Sequence, residues 1–291
     1  MFHVAIRMDR TLPAAVDTYA GVMATALITG ASAGLGLEFA WQLATARHDV
    51  VLVARDAERL ERLAGQLRAA AGVRAEVLSA DLSERDQTEK VAQRLRDQDN
   101  PVGLLVNNAG FGMGDRFVGG DLVLHERGLE VMVRAVMVLS HAAAEAMAQR
   151  GRGAILNVSS MAALTAVGTY SADKAWVRVF TEALAVELKG TGVTATALCP
   201  GLVHTEFHER AGLDRETFPE IAWLNADAVV SAALADVRRG AVISTPSLRY
   251  GLAAEVARLL PRAAIRALSA DRRVREGATL LDDGGSEPRD Q

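Results

Sequence analysis

Strand-length apolar runs that alternate with longer amphipathic stretches, and a glycine turn that joins the first run to the first helix, predict an α/β fold: one doubly wound parallel sheet in a single domain. The chain has 291 residues, half of them apolar, which is enough to bury one sizeable core.

The expected strands are Ala24 to Thr29, Val50 to Ala54, Arg74 to Ser79, Leu104 to Asn107, Ala154 to Ser159, Val193 to Cys199 and a short last one at Ala241 to Ser244. Most are nearly continuous in aliphatic residues, as strands buried on both faces are. The first helix is expected to begin near Leu37, after the glycine turn. Ala57 to Ala71, Glu84 to Asp97, Leu122 to Arg150 and Thr169 to Lys189 place apolar residues three and four apart with charges between them, and Asn225 to Arg239 reads as a further helix. Such alternation implies right-handed crossovers that lay helices on both faces of the sheet.

The flanks divide the rest. Asp9, Arg10 and Asp17 interrupt every apolar stretch near the start, so residues 1–22 are set aside as an N-terminal extension and the domain is read as 23–249. Leu202 to Trp223 carries charges, two His and Pro219 without a period, and is expected to be a long substrate loop. Residues 250–270 suggest an amphipathic helix kinked at Pro261, and 271–291 a disordered tail.

Composition narrows the partners. The 32 basic and 36 acidic residues are mixed along the chain, with net charge −4, so no basic stripe points to nucleic acid. No run of 18 uncharged apolar residues suggests a transmembrane segment, and the single Cys199 cannot form an internal disulfide. A soluble, reducing, cytoplasmic setting and a small-molecule partner are expected.

Immediately after the first strand the chain reads Thr29-Gly30-Ala31-Ser32-Ala33-Gly34-Leu35-Gly36 and then enters a helix. Glycines let the backbone turn tightly and approach a pyrophosphate, and the helix start offers unpaired N–H groups and a positive dipole end. This is the logic of a Rossmann-like dinucleotide site.

Tyr170 and Lys174 lie four apart on an expected helix and share a face. A nearby ammonium stabilises a phenolate and is expected to lower the phenol's pKa toward working range. With only three Tyr and three Lys in the chain, a chance pair at this spacing is rare. Ser160 closes the strand Ala154 to Ser159, at the edge where ligands of open α/β sheets bind; its hydroxyl suits a substrate carbonyl, with Ser159 as the competitor.

The turn's spacing, T-G-x-x-x-G-x-G, resembles that of the short-chain dehydrogenase/reductase family. Further motifs of the family follow in order from about Met23 to Ser247: Asp81-Leu82, Asn107-Asn108-Ala109-Gly110, Ser160, Tyr170 to Lys174, and Pro200-Gly201. The resemblance implies an oxidoreductase moving a hydride between a nicotinamide cofactor and a carbonyl or alcohol, with Ser160, Tyr170 and Lys174 catalytic. It implies a cofactor site of Gly30, Ser32, Gly34, Leu35, Gly36, Asp81, Leu82, Asn108, Ala109, Gly110, Pro200 and Gly201, joined by Tyr170 and Lys174. In it Asp81 contacts the adenine, and Val203 and Thr205 meet the nicotinamide amide. It also implies a homodimer or homotetramer.

At the end of the second strand, where an acid would hold a ribose 2′-hydroxyl, stands Ala54; the next residue, Arg55, suits a 2′-phosphate. NADP(H) is therefore favoured over NAD(H), with Asp56 and the non-basic Ala33 weighing the other way. The family's usual tetrad Asn aligns with Met132, whose thioether cannot donate a hydrogen bond. A dinucleotide-binding regulatory protein with weak or no catalysis is the alternative reading. His204 and His208 lack a third metal ligand, so no metal is expected, and Cys199 is read as core.

Overall fold

The computed structural model describes residues 25–113, 116–206 and 218–270. The expected extension 1–22 and tail 271–291 lie outside these residues, as does His208. Seven strands form the main sheet: β1 (Thr25–Thr29), β2 (Val50–Ala54), β3 (Ala75–Ser79), β4 (Val102–Asn107), β5 (Gly153–Val158), β6 (Val193–Leu198) and β9 (Ile243–Ser244). They pair in parallel in the order β3-β2-β1-β4-β5-β6-β9.

Side chains alternate between two cores, as strand geometry dictates. Ala26, Ile28, Val50 and Leu52 face one way, under α1 (Gly34–Thr45), α2 (Ala57–Ala71) and α7 (Ala226–Arg238). Leu27, Val51, Val53 and Leu105 face the other, under α3 (Arg85–Arg96), α5 (Ala135–Arg150) and α6 (Gly168–Glu187). Each large aliphatic side chain so buried contributes roughly 1.5–3 kcal/mol. Helix α2 shows the local logic. Asp56 accepts from the Arg59 N–H at 2.9 Å as N-cap; Leu60, Leu63, Ala64, Leu67 and Ala71 are buried; and Gly72 ends the helix in the left-handed region.

The structure corrects the sequence reading in four places. Helix α1 starts at Gly34, not near Leu37, so the last two glycines of the turn belong to its first turn. The segment Leu202 to Trp223 is not loop throughout: β7 (Leu202–Val203) pairs in parallel with β8 (Trp223–Leu224). The helix expected after Tyr250 begins earlier, as α8 (Leu248–Leu259), and Pro261 separates it from α9 (262–270) instead of kinking it. Finally, the expected helix Leu122–Arg150 is α4 (Leu122–Leu129), a π-turn at Glu130–Arg134 and α5. By length and composition this 29-residue rod is apolar enough to cross a membrane. Leu139, Ala142, Ala143 and Met147 are buried in the protein's own core, so we read it as a core helix.

Between β1 and β4 the chain direction across the sheet reverses, and a crevice opens beyond the carboxyl ends of these strands, where open α/β sheets bind ligands.

Candidate active site

The glycine turn leaves β1 into this crevice. Gly30 adopts φ +67°, a left-handed conformation open to glycine, and a side chain there would meet Asn108 Nδ2 at 2.9 Å. Thr29 ties the turn to the end of β4. Its hydroxyl oxygen accepts from the N–H of Asn108 at 2.9 Å and of Ala109 at 3.0 Å, while Asn108 Nδ2 donates to the Thr29 carbonyl at 2.9 Å. The N-cap of α1, Ala33, makes no side-chain hydrogen bond, and no acid stands in the first turn. The N–H groups and positive end of this helix are thus left for an anionic group, and the residues fit the pyrophosphate of a dinucleotide.

The remaining expected cofactor residues spread around this point. Thr205 lies against Gly34, its Cβ 3.5 Å from where a side chain on that glycine would begin. Ser32 and Leu35 are half-buried in the turn, Leu35 packing on the core. Leu82 and Val203 are buried; the Leu82 carbonyl accepts from Thr88 Oγ1 at 3.2 Å, and Val203 pairs with Leu224. Gly201 sits under the ring of Tyr250, and the Pro200 carbonyl accepts from Met161 N–H at 2.9 Å. Asp81 is already engaged: it accepts from Ser83 at 2.7 Å and Arg127 at 2.9 Å, and Arg55 stands 4.0 Å away. Burial raises its carboxyl, but the Ser83 hydrogen bonds and the two guanidiniums prevail and hold it below the usual range. Arg55 itself is 66% exposed. Asp56, the rival for a ribose hydroxyl, is taken up as the α2 cap.

The chemical group forms where α6 passes the end of β5. The Ser160 hydroxyl lies on the Tyr170 phenol side of the group, close enough to lower its pKa, and Lys174 Nζ lies 5.7 Å from the tyrosine ring centre. The structure also separates the two serines. Ser159 is buried and donates to the Lys174 carbonyl at 2.7 Å, which anchors α6. Ser160 starts the 3₁₀ turn Met161–Leu164, accepting from Ala162 N–H at 3.1 Å, and keeps its hydroxyl at Tyr170. A small cavity beside Ser160, lined by Cys199, Arg178 and Arg258, does not reach Tyr170 or Lys174 and lies apart from this group.

Lys174 is buried and donates to the Val158 carbonyl at 2.9 Å. Loss of solvent pulls its pKa down to about 8, against the opposing pull of Asp173 and Cys199. The expected lowering of the phenol by this lysine is not what the geometry produces. Desolvation raises the Tyr170 pKa, the Ser160 hydroxyl offsets this in part, and Asp173 raises it further. The Tyr170 residue is half-buried, and the Lys174 ammonium is committed to the Val158 carbonyl. Tyr170 is thus protonated at neutral pH.

Met132 lies in the π-turn, fully buried, and its Sδ is 3.3 Å from where a side chain on Gly110 would begin; Lys174 Nζ is 3.6 Å from the same point. The thioether and the lysine thus both border Gly110. Sequence reasoning missed Asp173, which is 3% exposed with Oδ2 unpartnered. Burial pushes its carboxyl up to about 6, against Lys174 and His125, whose Nδ1 is 2.8 Å from Thr169 Oγ1. Above that pH the Asp173 carboxylate supports the charge on Lys174. Asp173→Asn is accordingly expected to move the alkaline fall of reductive kcat/KM below pH 8 while leaving the rate at pH 6 largely unchanged. An unmoved alkaline limb in the pH profile would contradict this coupling.

His204 pairs with Glu220 at 3.1 Å and stacks on Trp223. Cys199 is buried, and desolvation raises its thiol pKa. Among the described residues no group of three or more His, Cys, Asp or Glu is placed to hold a metal ion.

Residues 24–216 match the family model described as short chain dehydrogenase. The chain belongs to this family. A short chain dehydrogenase of the fungus Pseudocercospora fijiensis is 35% identical over 217 residues, 69% of this chain and 70% of the relative. Among solved structures, a short-chain dehydrogenase from Sphingobium yanoikuyae in complex with NADPH superposes with TM-score 0.74 and 32% identity, covering 92% of this chain and 98% of that one. A family member from Burkholderia phymatum in complex with NAD gives TM-score 0.70 and 25% identity, covering 80% and 92%. The chain is a nicotinamide-dinucleotide oxidoreductase of the short-chain dehydrogenase type, with the single-domain, Rossmann-like α/β fold of those structures.

Proposed function

We propose that this short-chain dehydrogenase is NADP(H)-dependent and interconverts a carbonyl and an alcohol, with Tyr170 as proton donor and acceptor. The observation that carries the reading is the grouping of Ser160, Tyr170 and buried Lys174 at the carboxyl edge of the sheet, with Lys174 Nζ 5.7 Å from the tyrosine ring on the same helix. The cofactor, when bound, supplies or takes up the hydride. Ser160 and Tyr170 together orient the substrate oxygen; in reduction Tyr170 gives it the proton as negative charge develops there. Lys174, held by Val158, keeps a positive charge near the phenol and draws on Asp173 to retain it.

The preference for NADP(H) rests on Arg55, exposed and only 4.0 Å from Asp81, with no acid at Ala54 and with Asp56 committed to its helix. A guanidinium there takes a 2′-phosphate in two-pronged fashion. Purified protein assayed with NADPH and with NADH against a panel of ketones and aldehydes is expected to favour NADPH. Arg55→Ala should raise the KM for NADPH by at least about tenfold, the value of one charge-assisted contact, and leave that for NADH nearly unchanged. An equal effect on both cofactors would overturn the assignment.

A homodimer or homotetramer accords with exposed Leu129, Met137, Val179 and Val186 along α4 to α6, and light scattering reads it directly. The lone buried Cys199 accords with a reducing cytoplasm.

A further inference from the structure

Helices α8 and α9 present an uncovered amphipathic surface. Leu248, Leu252, Val256 and Leu259 recur at three- and four-residue steps, so they form one stripe along α8, and they are 96%, 68%, 50% and 87% exposed. The opposite side holds the helix to the protein: Ala254 is buried, and the Tyr250 hydroxyl donates to the Ala222 carbonyl at 2.7 Å and accepts from Leu202 N–H at 3.2 Å. Helix α9 is fixed as well, through buried Ile265 and through Ser269 Oγ, which accepts from Ala166 N–H at 3.1 Å. A stripe of four large apolar residues on an anchored helix needs a partner.

Charge identifies it. Residues 248–270 contain Arg249, Arg258, Arg262 and Arg266, all exposed, against a single acid, Glu255, within a chain of net charge −4. Three more arginines follow in the sequence at 272, 273 and 275, flanked by the acids at 271 and 276. A two-fold contact with a second copy would lay this basic surface on itself. Exposed leucines bordered by arginines instead match a helix lying in the plane of an anionic bilayer, its apolar face in the acyl boundary and its guanidiniums at the headgroups.

We propose that α8 and α9 form a peripheral docking surface for anionic lipid membranes. Its consequence for the enzyme is positional. Tyr250 grips both ends of the β7–β8 segment and Ser269 grips the stretch before Tyr170, so docking sets the substrate side of the site at the lipid surface.

The test is sedimentation of the full chain with phosphatidylcholine vesicles, with and without phosphatidylglycerol, at low and high salt, and needs no turnover. Binding is expected only with phosphatidylglycerol and is expected to weaken with salt. The double variant Leu252→Glu/Leu259→Glu should lose binding by on the order of tenfold or more, with cofactor binding and molar mass unchanged. Failure of the wild-type chain to sediment with anionic vesicles overturns the proposal, as does equal binding by the double variant. A double variant that dissociates into smaller species, with no vesicle binding by wild type, assigns the stripe to a second copy.

Discussion

Tyr170→Phe is expected to lower reductive turnover by roughly 10²- to 10⁴-fold, the usual contribution of a positioned proton donor. The substitution removes one oxygen and leaves the ring, which packs against the core, so the fold and the glycine turn are untouched. Ser160 alone remains to hold the substrate oxygen, and its hydroxyl already accepts from Ala162 N–H at 3.1 Å. Titration of the variant with NADPH should therefore give a Kd close to that of the parent while kcat collapses. A variant retaining more than a tenth of the activity would show that the proton comes from elsewhere.

Gly36→Ala is expected to be nearly as damaging, for a different reason. A side chain at this position would overlap the Gly30 carbonyl oxygen and reach within 2.6 Å of Asn108 Nδ2. Neither neighbour can retreat: one is backbone in the turn, and the other is bonded to the Thr29 carbonyl at 2.9 Å. The start of α1 must move off the turn, so cofactor affinity should fall by at least about tenfold, together with a stability loss of roughly 1–3 kcal/mol typical of overpacking. Gly65→Ala makes the contrast. Gly65 lies exposed within α2 with nothing within 4 Å of a new side chain, and alanine there should stabilise the protein by roughly 0.5–1 kcal/mol. Thermal melts with and without NADPH separate the two cases.

The fold was legible because its signals are local and repeated. Aliphatic runs such as Val50 to Ala54 leave no polar face, which requires helices on both sides, and a capped amphipathic stretch such as Ala57–Ala71 fixes its own ends. What stayed hidden depends on distant partners. Leu202–Val203 and Trp223–Leu224 are two residues each, too short for a period, and exist as strands through each other. The π-turn around Met132 falls within a pattern that reads as one helix, and it is set where the rod packs on α6. Asp173 looks like a solvated helical acid in sequence; its burial follows from the approach of α4, where Gly128 leaves room for the carboxylate, 3.5 Å from where a side chain would begin. Ser159 and Ser160 are adjacent and chemically alike, and only the alternation of β5 into its following turn sends one to Lys174 and the other to Tyr170. In sequence Thr29 ends a strand and opens the glycine turn; its bonds to Asn108 and Ala109 depend on β4 lying beside β1.

The central claim is hydride transfer between a nicotinamide and a carbonyl carbon at the Tyr170 site. It is tested most directly with NADPH carrying deuterium at C4 of the nicotinamide, incubated with the protein and a panel of ketones and aldehydes, with the alcohols read by mass spectrometry. The structure predicts one deuterium on the former carbonyl carbon of at least one product, from one face of the nicotinamide only, and no such product with Tyr170→Phe in the same time. Absence of labelled alcohol from the whole panel, while NADPH binds, would contradict it.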